Sequence, residues 1–307
     1  MDKVEKIIND IKKLKIQGAR NVAKAALTAL ALQIKSSKAE NLDQLYNEIL
    51  HVADKLANSR PTEPMMRNNI DDVTRFALLQ IKMKNIRTVG SVKKLLVERE
   101  EELLKEMDKN IAKIAEYGAK MIPDNAVVIT HCHSSSVTRI FKRAKEMGKK
   151  FEVIACETRP LYQGRITAHE LVEAKIKTTL IVDGAVNVFM KKADMCIVGA
   201  DAITSRGDLI NKVGTGTVAH IARMHDVSFY SAAELFKYSP LTAFGQRERI
   251  EERAIKEVWD KPPKGLTIRN PSFDATAAHY ITGYITEAGI IPATSLFAIA
   301  TQKLGIK

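Results

Sequence analysis

Hydrophobic and polar positions divide this chain into two halves with different periods. From residue 1 to about 121, apolar residues recur at helical spacing. Val4 to Ile16 forms one such stretch, closed by Gly18. Ala19 to Ile34 is rich in Ala and Leu, a composition that lets a helix pack closely against its neighbours. Leu42 to Leu56 follows Asn41, whose short polar side chain suits a helix N-cap. Arg60-Pro61-Thr62-Glu63-Pro64 interrupts the pattern, and Val92 to Met121 reads as one long charged amphipathic helix joining the halves.

From Pro123 onward, short apolar runs alternate with helical patterns. Ala126 to Thr130, Phe151 to Cys156, Thr178 to Val182 and Met195 to Val198 are continuous apolar runs, the pattern of parallel strands buried on both faces. Val227 to Tyr230 is a further strand-like run. Pro262-Pro263-Lys264-Gly265 marks a late loop, and Ala275 to Leu304 a final segment containing helix, broken at Gly289 and Pro292. The predicted fold is α/β: an all-helical N-terminal domain over 1–121, then a Rossmann-like parallel-sheet domain over 122–307. Gly289 to Ala293 suits either an interface or the core.

In such sheets ligands bind outside the carboxyl ends of the strands. Each of the four runs ends in polar residues: His131-Cys132-His133-Ser134, Glu157-Thr158-Arg159, Asp183 and Asp201. Cys132 precedes Ser134, Ser135 and Ser136 at a strand-to-helix turn, where amides at a helix N-terminus attract anions and lower a thiol's pKa. Protonated His131 and His133 would lower it further. A buried, inert thiol is the competing reading. The serines fit an N-cap, a phosphate cradle, or both. Asp201 ends an apolar strand, where lost hydration raises a carboxyl toward general-acid range, although a turn-capping Asp fits equally. Asp183 is placed similarly and cannot be ranked against it by sequence. Asn211 to Thr217 reads as a small-residue turn that opens a helix and offers a cation, Lys212, with exposed amides for phosphate. Gly18-Ala19-Arg20, Arg60 and Lys237 are further basic or turn elements, each also readable as surface charge or cap. Arg159 either binds phosphate or fixes Glu157. Cys156 and Cys196 lie within apolar runs and read as core.

Composition narrows the class. The chain has 307 residues, 45% apolar and 27% charged, as in an ordinary globular protein. No apolar run reaches the ~18 residues of a membrane span, and the N-terminus lacks a signal-peptide core. Three cysteines argue against a disulfide framework and for a reducing, cytoplasmic setting, and their spacing fits no zinc pattern. The net charge of +12 suits anionic substrates, a surface laced with ion pairs, or nucleic acid. Only 6% aromatic residues, and no nucleic-acid-binding motif, argue against the last. Neither a dinucleotide fingerprint nor Walker spacing is present, so no cofactor and no metal is expected.

Taken together the motifs resemble a known superfamily. They are His131-Cys132-His133-Ser134, Glu157-Thr158-Arg159-Pro160 with Gln163-Gly164, Thr167-Ala168 and Glu170-Leu171, then Gly199-Ala200-Asp201 and Ile210 to Thr215. Gly18-Ala19, Arg60-Pro61-Thr62 and Asn270-Pro271 with Phe273-Asp274 and Thr276 extend the likeness over nearly the whole chain. The superfamily comprises regulatory subunits of translation initiation factor 2B, methylthioribose-1-phosphate isomerases and archaeal ribose-1,5-bisphosphate isomerases. The resemblance is greatest to the last group. It implies an isomerase acting on α-D-ribose 1,5-bisphosphate to give ribulose 1,5-bisphosphate, in archaeal AMP and nucleoside degradation. It further implies Cys132 as proton acceptor, Asp201 as proton donor, and homo-oligomers built from dimers, often hexamers. Translation-factor subunits generally lack this pair. For the two phosphates, Ser134, Ser135, Ser136, Asn211 and Lys212 suit one, and Arg20, Arg60 and Lys237 the other, with Gly18 and Ala19 at the ligand. Cys156 before Glu157, and Ala277-Ala278 where Pro-Pro is expected, depart from the pattern. Rival expectations are a methylthioribose-1-phosphate isomerase and a non-enzymatic factor 2B-like subunit.

Overall fold

A computed structural model describes residues 3–82 and 88–306. The chain forms two compact units, Met1–Lys109 and Asn110–Lys307.

The first unit is helical: α1 (Lys3–Lys12), α2 (Ala19–Ser36), α3 (Leu42–Ser59), α4 (Pro64–Lys82) and the beginning of α5 (Val89–Met121). Helix α1 ends four residues before the sequence pattern does, and Leu14 adopts a left-handed φ of 59° in the turn that follows. Asn41 caps α3 as expected, its Oδ1 accepting the Gln44 amide at 2.8 Å. Helix α2 packs against α1, α3 and α4. It is buried on more than one face because Ala23, Ala26 and Ala29 let neighbouring backbones approach. A leucine at any of these would overpack the unit by about 1–3 kcal/mol. No helix among the described residues is long and apolar enough to cross a membrane.

The second unit alternates as the runs predict: β1 (Ala126–Thr130), α6 (Ser135–Glu146), β2 (Phe151–Cys156), α7 (Gln163–Glu173), β3 (Lys177–Ile181), α8 (Val186–Met190), β4 (Met195–Val198), β5 (Ala202–Ile203), β6 (Leu209–Lys212), α9 (Thr215–Met224), β7 (Ser228–Ala232), β8 (Phe273–Thr276), β9 (Gly283–Thr286), β10 (Gly289–Ile291) and α10 (Leu296–Leu304). Seven strands form one sheet in the order β10-β9-β7-β4-β1-β2-β3, parallel except for the β9–β10 pair. A second, antiparallel sheet, β5-β6-β8, was not anticipated, because its strands are too short to show a period. Strand β3 also departs from the expected two-sided burial. It is the edge strand, with Leu180 45% exposed. The central core joins Val128, Val153 and Ile197 of the sheet to Ile140 and Phe141 of α6 and Leu171 of α7. At ~1.5–3 kcal/mol for each large apolar side chain, this burial fixes the sheet and with it the strand ends.

Candidate active site

Strand register brings the polar tips together. Thr130 pairs with Ala155, Ile129 with Cys196, Cys156 with Ile181, and Val198 with Ser231. Continuing each pairing by two or three residues puts Cys132 beside Glu157 and Gly199, Thr158 beside Asp183, and Asp201 just beyond. Five adjacent parallel strands therefore end at one edge, each followed by a residue able to donate, accept or carry charge.

Cys132 leaves β1 with φ of 67°, a left-handed conformation rare for a residue with a β-carbon. Its thiol is half-buried, and burial pushes it up to about 12. The Lys212 ammonium and the His133 backbone N–H pull the other way, while Asp201 and Asp183 add to the rise. Lys212, Asp201 and Asp183 thus all act on this sulfur. The thiol is raised, the reverse of the lowering expected from a helix N-terminus, because lost hydration outweighs the amides. The neighbouring imidazoles do not supply charge either. Burial lowers the pKa of both His131 and His133, favouring their neutral forms. His131 is 2% exposed, with Nε2 bonded to the Val213 carbonyl at 2.9 Å.

Asp201 follows β4 and is half-buried, and its amide donates to the Ile210 carbonyl at 2.9 Å. The preceding carbonyl, Ala200 O, accepts from the buried Lys237 ammonium at 2.6 Å. Lys237 thus sits beside Asp201. Gly199 is required by close approach: a β-carbon there would lie 2.7 Å from Ser134 Cβ and 2.8 Å from its Oγ. Ser134 occupies the N-cap of α6, yet its hydroxyl makes no cap bond. Ser135 is exposed and Ser136 buried in the first turn. Asn211 is buried and donates to Thr215 Oγ1 at 2.9 Å, and its Oδ1 faces Gly199.

The Asn211–Thr217 turn opens α9 as predicted, but two of its amides are already engaged. The Gly214 and Gly216 N–H groups both donate to the Asp274 carboxylate, at 2.7 and 3.1 Å. The Lys212 side chain, half-buried over the Phe273 ring, is the cation this turn offers.

Asp183 has a structural task, accepting the Thr158 amide at 2.8 Å and the Arg159 amide at 2.7 Å. Arg159 does not hold Glu157: it donates to Tyr162 Oη and the Val258 carbonyl, while Arg165 pairs with Glu157 at 3.2 Å. Two residues the sequence left without a role, Thr158 and Thr167, bond directly to the Cys132 backbone. Their only signal was membership of the motif that begins at Glu157. Among the described residues, His131, Cys156 and Asp183 have donor atoms within 4.8 Å of one another. Burial pushes the Cys156 thiol up to about 12, and both Asp183 oxygens are taken by amides, whereas a metal binds thiolate and free carboxylate.

The remaining substrate-binding candidates belong to the first unit. Gly18, φ 83°, precedes α2, and Ala19 is buried at its first position. Arg20 donates to the Met107 carbonyl at 2.7 Å and to Asp108 at 2.6 Å. The buried Arg60 lies 3.3 Å from Glu63.

The helical unit followed by a parallel sheet whose strand ends gather a thiol, carboxylates and the ammonium groups of Lys212 and Lys237 defines an α/β protein with a polar sheet end. Residues 15–293 match the Initiation factor 2 subunit family, and the chain belongs to that family. Ribose 1,5-bisphosphate isomerase of Archaeoglobus fulgidus is 38% identical over 307 residues, spanning 99% of this chain and 95% of that protein. The Thermococcus kodakarensis protein of the same name is 36% identical, over 98% and 95%. Methylthioribose-1-phosphate isomerase of a Geobacter species is 33% identical, over 94% and 86%. Among solved structures, Pyrococcus horikoshii translation initiation factor eIF-2B superposes with a TM-score of 0.80 at 30% identity, covering 95% of this chain and 98% of that one. Pyrococcus horikoshii 5-methylthioribose 1-phosphate isomerase gives 0.78 at 27% identity, covering 99% and 87%.

Proposed function

We propose that this protein is an isomerase that converts α-D-ribose 1,5-bisphosphate to D-ribulose 1,5-bisphosphate, with Cys132 and Asp201 as its acid–base pair. The observation that carries the reading is the strand register, which brings Cys132 and Asp201 to the same end of adjacent strands in a family member. The names of relatives similar along nearly the full chain support this choice of substrate.

The chemistry requires a proton to leave C2, another to reach the ring oxygen, and a third to arrive at C1. As C2 gives its proton to the Cys132 thiolate, the electron pair forms the C1–C2 double bond. The C1–ring oxygen bond breaks, and the oxygen takes the Asp201 proton. The resulting enol loses its hydroxyl proton and gains one at C1, giving the ketone with no net change in protons. The step requires the pair to hold one proton, on Asp201; a neutral Asp201 no longer raises the thiol, and Lys212 favours the thiolate. Lys212, Asn211 and Ser134 to Ser136 are assigned to one phosphate, and Lys237 to the other. The cations also offset charge on the enolic intermediate.

The test is a product assay with ribose 1,5-bisphosphate on the wild-type chain and on Cys132→Ser and Asp201→Asn. Each variant should lose ~10²–10⁴-fold in kcat while still binding the bisphosphate in calorimetry. Near-normal turnover in either removes the pair. Turnover of methylthioribose 1-phosphate in preference would reassign the substrate. Stable association with initiation factor 2, with no isomerase activity, would move the protein to the non-enzymatic branch.

A further inference from the structure

We infer that Thr158 and Thr167 are positioning residues for Cys132, pinning both of its peptide groups so that the thiol keeps one direction. The proposal rests on the reading of Cys132 as the proton acceptor.

A left-handed backbone is unfavourable for a residue with a β-carbon and persists only where its surroundings hold it. At Cys132 two hydroxyls do so. The Cys132 N–H donates to Thr158 Oγ1 at 2.9 Å, and the Cys132 carbonyl accepts from Thr167 Oγ1 at 2.9 Å. Neither hydroxyl has freedom to turn away. Thr158 Oγ1 donates its own proton to the Cys156 carbonyl at 3.1 Å, so its lone pair faces Cys132. Thr167 gives its proton to Cys132, so the 3.1 Å contact with His133 Nδ1 makes that nitrogen the donor. Both threonines are fully buried. Thr158 is itself left-handed, φ 65°, and its amide is held by Asp183 at 2.8 Å.

Three strand ends therefore act on one residue. Asp183 after β3 fixes Thr158 after β2, Thr158 fixes Cys132 after β1, and Thr167 of α7 closes the clamp from the other side. The His133 N–H, which favours the thiolate, follows immediately in the chain, so its aim at the sulfur depends on the same held peptide. This gives the two threonines of the Glu157–Leu171 motif a chemical reason for being there.

The test compares Thr158→Val and Thr167→Val, which replace a hydroxyl by a methyl of like size, with Thr158→Ser and Thr167→Ser, which keep it. The valine variants should lose about 10–100-fold in kcat with KM nearly unchanged, as for a ~1 Å misplacement of a reacting group, and the serine variants should recover most of it. Circular dichroism confirms that each is folded. Valine variants within about twofold of wild type, or serine variants as impaired as valine, overturn the proposal. If the wild-type chain does not isomerise ribose 1,5-bisphosphate, the functional reading fails separately. The clamp is then decided by the rate at which iodoacetamide labels Cys132, located by mass spectrometry. Altered rates in the valine variants with wild-type rates in the serine variants support it, and equal rates in all four overturn it.

Discussion

Gly164→Ala is the sharpest single perturbation of the site. A β-carbon at residue 164 would lie 1.7 Å from the Cys156 carbonyl oxygen and 2.8 Å from its carbon. Real β-carbons do not come within 3.0 Å of another heavy atom, so the first turn of α7 must withdraw from the end of β2 by about 1.3 Å. The obstacle is backbone at the end of a strand hydrogen-bonded on both sides, so it cannot rotate aside as a side chain would. Overpacking of this kind destabilises by about 1–3 kcal/mol. In a unit of this size that is a fall in Tm of roughly 2–12 °C. Helix α7 also carries Thr167, whose 2.9 Å bond to the Cys132 carbonyl would open beyond hydrogen-bond range if the helix moved as a body. The kcat should then fall ~10²-fold. Differential scanning fluorimetry and initial-rate kinetics read the two effects on the same preparation. A Gly164→Ala protein with wild-type Tm and wild-type kcat would refute both the close approach and the dependence of Cys132 on α7.

Charge at the thiol gives a second pair of predictions. Asp201 raises the Cys132 thiol and Lys212 lowers it, so the pH profile of iodoacetamide labelling should move to lower pH in Asp201→Asn and to higher pH in Lys212→Met. An unmoved profile in both would show that neither charge reaches the sulfur. Glu287 predicts a pH dependence of stability. Burial, with Glu234 adding and Lys303 opposing, raises its carboxyl from 4.5 to about 7, while the oxygens accept the Leu235 amide at 3.1–3.2 Å. The folded state then holds this proton more tightly than the unfolded state. The stability it contributes is complete below pH ~4.5 and is lost as pH rises through ~7, a change of about 3 kcal/mol. Glu287→Gln, which keeps an acceptor for Leu235 without the charge, should melt higher than wild type at pH 8, with the difference closing by pH 5. Parallel melting curves at the two pH values would sink this assignment. In the first unit, Asp108 is held below the usual carboxylate range by hydrogen bonds from Lys24 and Arg20. Arg20→Ala should therefore raise the Asp108 carboxyl toward that range in a carbon-13 NMR titration, and an unmoved titration would refute the pairing.

The residue pattern alone specifies the two periods and the strands that follow from them. Continuous apolar runs at Ala126–Thr130, Phe151–Cys156 and Met195–Val198 need burial on both faces, and a parallel sheet flanked by helices provides it. It also determined that Cys132, Asp183 and Asp201 would share an edge, because residues just after parallel strands share one end of the sheet. Asn41 as a cap was legible for a local reason, since a cap is satisfied within one turn. Short strands such as Ala202–Ile203 were not, because two residues carry no period. The exposure of the third run was not, because edge or centre depends on strand order. What each polar tip does depends on packing between distant segments. Asp183 and Asp201 look alike in sequence, yet one is held by the amides of Thr158 and Arg159 while the other follows the carbonyl that Lys237 holds. The Gly214 and Gly216 amides of the 211–217 turn are bound by Asp274, 58 residues and more along the chain. The Cys132 thiol is raised rather than lowered, because its pKa is set by the hydration it loses and by the charges of Lys212, Asp201 and Asp183, each on a separate segment. Hydrogen-bond partners and desolvation depend on neighbours distant in sequence, and no pattern read along one strand contains them.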